Sequence, residues 1–203
     1  MKNANAPKLT VVTVVVAVTF FLALTIVEAI PEIPVDIDFK PFFIPMTFAA
    51  LVPRAWGPLL AVGLGGMLGE FLRDLLEGYE IDDPIGAIGY VVGFVAGGYL
   101  VGDRPLNKAR LAFAVFMSGL IHAVIEATAL VLFDNELLQV AVWSAVGNTI
   151  CDGIILGAIP AVLLMPRLYG RVERYLGFAP RGIDYYRRKR RVPAFSSTSQ
   201  SAS

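Results

Sequence analysis

The sequence predicts an all-α integral membrane protein, a bundle of six transmembrane helices with both termini in the cytoplasm. Three observations support this fold class. Of the 203 residues, 56% are hydrophobic and only 17% are charged, a balance with which a water-soluble domain could not cover its surface. The apolar runs are too long and too uninterrupted for the alternating strands of a membrane barrel. The basic residues, finally, are strongly segregated along the chain, as in multi-pass proteins of the cell membrane.

A membrane-spanning helix needs roughly 20 mostly apolar residues. The first apolar run is interpreted as a retained helix, since it is long and lacks the small-residue cleavage site of a signal peptide. The second segment is short and carries Pro41 and Pro45, so we expect an irregular start that is buried in protein or beside a water-filled cavity. The predicted helices cover approximately residues 9–30, 40–53, 56–77, 84–102, 110–133 and 138–166.

Orientation follows from the basic residues. If the amino terminus is inside, 15 of the 17 basic residues fall inside and only Lys40 and Arg73 fall outside. The positive-inside rule therefore places both termini in the cytoplasm. Acidic residues crowd the opposite side and make it electronegative, namely Glu28, Glu32, Asp36, Asp38, Asp74, Glu77, Glu80, Asp82, Asp83, Asp134 and Glu136.

The chain divides into a membrane domain, residues 1–176, and a cytoplasmic tail, residues 177–203. The tail contains the basic run Arg187 to Arg191 and then a serine-rich end. We expect the basic run to contact anionic lipid headgroups and the end to be disordered, with docking of a cytoplasmic partner as the alternative.

Small residues recur every four positions on four helices, a spacing that lets helix backbones approach closely in lipid. The first helix carries Thr13, Ala17, Thr19 and Ala23 on an otherwise bulky aliphatic surface, which makes it the candidate docking face for a membrane partner. The other sets, predicted to pack helices within the protein, are Ala61, Gly65 and Gly69; Gly89, Gly93 and Gly97; and Gly153, Gly157 and Ala161.

Ionisable and amide side chains inside a membrane are costly, so each is a candidate for function. Two pairs of such residues lie four positions apart, which places each pair on one helix face. We predict a single outward-opening substrate pocket, which Trp143 and Tyr79 either close by stacking or flank as interfacial belt residues. The predicted pocket residues are Glu70 on the third helix, His122 and Glu126 on the fifth, and Asn148 and Asp152 on the sixth.

Other interpretations stay open. His122 and Glu126 could instead form a hydrogen-bonded pair that joins two helices, and so could Asn148 and Asp152. A metal site from His122, Glu126 and Asp152 fits the ligand types but has only one histidine to draw on. We therefore predict no metal and no cofactor.

Enzyme and nucleic-acid functions are not indicated. The sequence contains no Gly-x-Ser-x-Gly, His-Glu-x-x-His or P-loop motif, so we expect no catalytic activity and no ATP hydrolysis by a P-loop. A formal net charge of zero argues against nucleic-acid binding. The single cysteine, Cys151, cannot form an internal disulfide and is interpreted as a small packing residue.

Three segments resemble the substrate-binding S component of energy-coupling-factor (ECF) vitamin transporters. The run Phe43 to Leu76 combines a short helix with prolines, an aromatic-Gly-Pro turn at Trp56 and a glycine-rich helix that ends in Asp-Leu-Leu. The segments from Pro84 to Leu100 and from Asn148 to Pro160 are similar to the fourth and last helices of that family.

The resemblance implies a vitamin- or precursor-binding subunit that works with a membrane coupling subunit and a pair of ATPases. It also implies a pocket near the outer face. Family members often carry Ala-x-x-x-Ala in the docking helix, where this chain has Thr13 and Ala17. The acidic outer face favours a small cationic or zwitterionic substrate, for example a thiamin-like one. The alternatives are a ligand-free structural or assembly protein and a metal-ion permease.

Overall fold

The computed structural model describes residues 6–27, 37, 39–78, 83–183 and 186. The regular elements of these residues are all helices, which confirms the all-α part of the predicted fold class. The helices are α1 (Ala6–Val27), α2 (Phe43–Leu51), α3 (Trp56–Glu77), α4 (Asp83–Val101), α5 (Lys108–Phe133), α6 (Leu138–Asn148), a π-helix (Thr149–Ala158), α7 (Ile159–Leu168) and α8 (Val172–Tyr175).

Within the described residues, four stretches of helix are long and apolar enough to cross a membrane: Ala6–Val27, Pro84–Val101, Lys108–Phe133 and the continuous run Leu138–Leu168. The membrane class predicted from composition is supported by these four. Helix α2 has nine residues, about 14 Å at 1.5 Å per residue, and is too short to cross a hydrocarbon core of about 30 Å. The prediction of six passes therefore depends on how α2 and α3 traverse the bilayer, and it stays a prediction.

Glycines bring α1 and α3 into close contact. A Cβ atom on Gly65 would lie 2.7 Å from the carbonyl oxygen of Thr13, and one on Gly69 would lie 2.9 Å from that of Ala17. Thr13 also donates a hydrogen bond from its hydroxyl to the Ala61 carbonyl oxygen across the interface, at 3.1 Å. The predicted packing role of the α3 small residues is confirmed, because only glycine allows this approach.

Glycines also bring α5 into close contact with α4 on one side and with the π-helix on the other. A Cβ on Gly93 of α4 would lie 2.8 Å from the Ser118 carbonyl oxygen. On the other side, a Cβ on Gly119 would lie 2.7 Å from the Cα atom of Gly153 in the π-helix. Helix α5 is therefore the centre of the part of the bundle that carries most of the predicted site.

The π-helix was not predicted. It ends at Ala158, two residues before Pro160, and the amide of Ile159 donates to the carbonyl of Ile154, five residues back. Proline has no amide hydrogen, and its ring clashes with the carbonyl four residues earlier, so the chain widens there rather than continuing in α-helical register. The wider turns shift the residues of this segment, including Asp152, from the positions they would have in an ideal α-helix.

Both described ends of the chain lie at one end of the bundle, which we call the Lys8 end. The ammonium of Lys8 donates to the carbonyl oxygen of Gly177 at 2.8 Å. Arg181 is 5% exposed and donates to the carbonyl oxygens of Ala49, at the end of α2, and Gly98, near the end of α4, both at 2.8 Å. The first part of the predicted tail thus packs on the bundle and satisfies carbonyls at two helix ends.

Candidate functional site

The central feature of the opposite end is Lys40, which lies in the irregular segment ahead of α2. Its ammonium donates to Glu126 Oε1 at 2.6 Å, and the two side chains are 4% and 14% exposed. Its backbone amide donates to Oδ1 of the buried Asp152 at 2.7 Å. One lysine thus contacts two carboxylates, from α5 and from the π-helix, through different parts of the residue.

The local sequence explains the conformation of this segment. A residue that precedes proline is pushed out of the helical region, so Pro41 keeps Lys40 outside α2 and leaves its amide for a side-chain acceptor. Lys40, Pro41, Phe42 and Pro45 are all buried. The prediction that the proline-containing start of the second helix is buried in protein is confirmed.

An amide and an imidazole extend the cluster around Glu126. Asn148 donates from Nδ2 to Glu126 Oε2 at 3.4 Å and lies 3.4 Å from the Ser144 hydroxyl. His122 Nδ1 lies 3.8 Å from the same Glu126 oxygen, an ion-pair distance that exceeds a hydrogen bond. The predicted pair of His122 and Glu126 therefore lies close together, and Asn148 of the second pair also reaches Glu126, whereas Asp152 of that pair binds the amide of Lys40.

Glu70 belongs to the cluster through its electrostatic interactions. Its side chain is 12% exposed, and its Oε1 lies 3.4 Å from Nη1 of Arg73, one turn further along α3. The charges of Lys40 and Glu126 also act on it, and so does the Tyr90 hydroxyl of α4. Helix α3 thus contributes one carboxylate and one cation to the site.

Aromatic rings form an apolar floor beneath these charges. The ring of the fully buried His122 lies 4.1 Å from that of Tyr90 and 5.2 Å from that of Phe42, centroid to centroid. Phe20 and Phe94 continue the same stack of edge and tilted contacts. A low-polarity floor strengthens the interactions of the charges above it and makes an unpaired charge costly.

The balance of charge in the cluster is acidic. With His122 neutral, three carboxylates, of Glu70, Glu126 and Asp152, face two cations, of Lys40 and Arg73. Such a set suits a cationic ligand group better than an anionic one. No group of three or more metal-ligating side chains that could hold an ion occurs among the described residues.

Five of the six predicted site residues are brought together: Glu70, His122, Glu126, Asn148 and Asp152. Trp143 is not among them. It is 58% exposed on α6, whereas the neighbouring Ser144 is buried toward Asn148. Tyr79 lies outside the described residues.

Sequence analysis missed Lys40, Tyr90 and Ser144 as members of the site. A signal for Lys40 was present, because it is one of only two basic residues assigned to an otherwise acidic side. A lone cation among many carboxylates is expected to pair with one of them. For Tyr90 and Ser144 the sequence offered no comparable signal.

The predicted docking residues of α1 are placed as follows. Thr13 and Ala17 face α3, and Ala17 is only 6% exposed. Ala23 is intermediate in exposure. The exposed face of α1 consists instead of larger aliphatic residues, Val11, Val14, Val18, Leu22 and Ile26. A partner that docks on α1 would meet this face.

Fold and site together define an all-helical protein with several helices able to span a membrane and with a buried cluster of charged side chains at one end. The chain belongs to a family of unknown function, DUF8171, whose family model matches residues 11–198. Comparison with curated proteins and with solved structures gives no significant match.

Proposed function

We propose that this protein is a membrane subunit that binds a small cationic or zwitterionic solute at the Lys40–Glu126 cluster and serves an importer. The observation that carries the proposal is the buried pair itself, with Asp152, Asn148 and Glu70 around it. Ionisable groups within membrane-embedded protein are expensive and mark substrate or ion sites by default. Four separate segments of the chain supply these groups, which is typical of a binding site.

The charge of the cluster supports a cationic ligand group. An anionic ligand would approach Lys40 next to the carboxylates of Glu126 and Asp152, with Glu70 in electrostatic range. Like charges placed together in a poorly solvated site cost several kcal/mol. The aromatic floor of Tyr90 and Phe42 suits a flat, partly apolar solute, which fits a thiamin-like vitamin or precursor.

The source of energy would be a partner, as the resemblance to ECF S components implies. The sequence contains no P-loop motif, and in this proposal an ATPase pair and a membrane coupling subunit supply the energy for import. In this proposal the protein crosses the cell membrane six times with both termini in the cytoplasm. The cluster then faces outward, since the opposite Lys8 end lies with the basic residues.

Two other functions compete with this one. A ligand-free structural or assembly protein would use the cluster only to hold helices together, and it would tolerate its replacement by apolar groups. A metal-ion permease would need a metal-ligand set, and the described residues offer no group of three. The solute-binding function is preferred because the cluster combines charge, an amide and aromatic rings.

The site is tested by binding measurements in lipid nanodiscs. Small cationic and zwitterionic vitamins and precursors are screened by quenching of tryptophan fluorescence, and hits are measured by calorimetry. Glu126→Gln and Asn148→Ala remove a hydrogen bond that involves a charged group, worth about 1.5 to 3 kcal/mol. Affinity should fall roughly 10- to 150-fold, since each 1.4 kcal/mol is tenfold.

Matched controls lie nearby on the same helices or their connection. Glu136→Gln makes the same chemical change at an exposed position between α5 and α6, and Gln139→Ala removes an exposed side-chain amide in α6. Both variants should bind like the parent. If both site variants stay folded and bind every hit within twofold of the parent, the ligand site is elsewhere and the cluster is structural.

The partner is tested by purification from the native host in mild detergent. We expect a second membrane subunit and an ATPase pair to copurify. Val18→Trp, on the exposed face of α1, should weaken that association and leave ligand binding unchanged, whereas Val124→Trp on exposed α5 is the control. A protein that transports the solute when reconstituted alone would refute the dependence on partners.

A further inference from the structure

We infer that the Lys40 ammonium is a resident cation, and that the ligand binds by exchanging its own protonated amine for Lys40 at Glu126. This inference rests on the proposed solute-binding function and specifies how its site is occupied and emptied. The ligand class it names is a small primary or otherwise protonated amine. Three features of the cluster carry it.

The first feature is that Lys40 is held at two points of unequal accessibility. Its backbone amide binds Asp152, which is 1% exposed, whereas its ammonium binds Glu126, whose side chain is 14% exposed. A flexible four-carbon stem connects the ammonium to the backbone. Rotation of that stem can therefore remove the ammonium from Glu126 while the amide keeps the segment in place on Asp152.

The second feature is the charge balance, which favours exchange over simple departure. A carboxylate that is left without a cation in a poorly solvated site is strongly unfavourable. Arg73 interacts with Glu70, and the ion pair of Lys40 with Glu126, at 2.6 Å, is shorter than the 3.8 Å between His122 Nδ1 and Glu126. Departure of Lys40 therefore costs less when another cation takes its place at Glu126.

The third feature is a glycine of α4 beside Glu126. Gly86 faces this carboxylate, and a Cβ added to Gly86 would lie 3.9 Å from Glu126 Oε1, with no other described atom within 4 Å. Glu126 Oε1, which accepts the hydrogen bond from Lys40, is therefore also the oxygen next to Gly86. A second ammonium can approach the same oxygen from the α4 side.

The inference is tested first by chemical rescue. Lys40→Ala removes three methylenes and an ammonium, which together correspond to n-propylammonium. Lys40→Met keeps the stem and removes only the charged group, which corresponds to the ammonium ion. We expect propylammonium to bind and stabilise Lys40→Ala and ammonium to do so for Lys40→Met, each saturably. Thermal unfolding in detergent is the measurement, with sodium and tetramethylammonium at equal ionic strength as controls.

Exchange also fixes the relative affinities of the parent and Lys40→Ala for the added amine. In the parent, Lys40 competes with the added amine, so propylammonium should bind Lys40→Ala at least tenfold more tightly than it binds the parent, and that binding should disappear in Lys40→Ala/Glu126→Gln. Where Lys40→Ala is recovered only when propylammonium is present during purification, that requirement is itself the rescue. Absence of rescue in both single variants, or equal affinity in parent and Lys40→Ala, overturns the inference.

A ligand from the screen then separates this inference from the proposed function. Under exchange, Lys40→Met binds the ligand more tightly than the parent, and Glu126→Gln binds it more weakly. If both variants bind more weakly, Lys40 contacts a group of the ligand, so exchange is refuted while the binding function stands. If neither variant changes affinity, exchange and the proposed site both fail.

Discussion

The Lys40–Glu126 pair allows a quantitative test of how the bundle tolerates buried charge. At 2.6 Å the attraction between the two charges is about 6 kcal/mol for an effective dielectric constant of about 20. Desolvation of each ion costs several kcal/mol and offsets most of this gain. The net contribution of the intact pair to the free energy of unfolding should therefore be small, although the two residues depend strongly on one another.

Lys40→Met and Glu126→Gln should each lower the free energy of unfolding by about 3 to 5 kcal/mol, because each leaves a buried charge without its partner. The double variant should lose much less than the sum, with a coupling energy of about 2 kcal/mol or more. The assay is reversible unfolding of the purified protein by SDS in mixed micelles, followed by circular dichroism and repeated at a second ionic strength.

The pair Glu70–Arg73 is the internal control for this cycle. Its atoms are 3.4 Å apart, and its side chains are 12% and 21% exposed. Its coupling energy should be about 0.3 to 1 kcal/mol, as for accessible pairs one turn apart on a helix. The reasoning is refuted if the losses of unfolding free energy from Lys40→Met and Glu126→Gln add up to that of the double variant within about 0.5 kcal/mol. It is also refuted if the two pairs have equal coupling energies.

Two further predictions concern the Lys8 end and the topology. Arg181→Lys should lower the free energy of unfolding by about 1 to 3 kcal/mol, since a lysine cannot satisfy the carbonyls of both Ala49 and Gly98, while Arg174→Lys at an exposed position should be neutral in the same assay. A membrane-impermeant thiol reagent added to whole cells should label a cysteine placed at Asp36 and not one placed at Ser199; the reverse pattern would invert the proposed topology.

Helix class and helix packing could be predicted from the sequence because both depend on local patterns. Runs of apolar residues gave the long helices, and the four-residue spacing of Gly65 and Gly69 gave a close contact that the structure confirms. The spacing could not show which helix packs against each set of small residues. Thr13 and Ala17 were assigned to a docking surface, but α3 presents matching glycines to them within the protein.

Sequence analysis predicted the carboxylates of the site but missed the cation Lys40, and the reason is physical. Rules of membrane topology count the sign of a lysine and say nothing of the direction of its side chain, so Lys40 was counted as an outside basic residue and not as half of an ion pair. Trp143 illustrates a second limit. Ser144 and Asn148, four residues apart, set the inward face of α6, and the adjacent Trp143 is turned away from it.

Arg181, which follows the last long helix, donates hydrogen bonds to backbone carbonyl oxygens of α2 and α4. Burial lowers the pKa of its guanidinium to about 10, so the side chain stays charged at neutral pH. Its charge lies at the carboxyl ends of α2 and α4, where the partial negative charge of helix termini stabilises a cation. A basic residue that sequence analysis assigned to a solvated tail is therefore part of the folded bundle.

The two ends of α2 together give the strongest argument that the cluster is more than structural. A nine-residue helix in a membrane protein must have its terminal backbone groups satisfied by the surrounding protein. Arg181 satisfies carbonyls at one end, and Asp152 accepts the amide of Lys40 at the other. Asp152 alone meets the need of that amide.

The ammonium of Lys40 and the carboxylate of Glu126 serve no backbone group of α2, and their burial carries a desolvation cost that apolar side chains of similar size would avoid. A helix bundle that needed only stability would gain by replacing both. The pair, together with an amide from Asn148 and a glycine in place of a side chain at Gly86, is what a site that exchanges one cation for another requires.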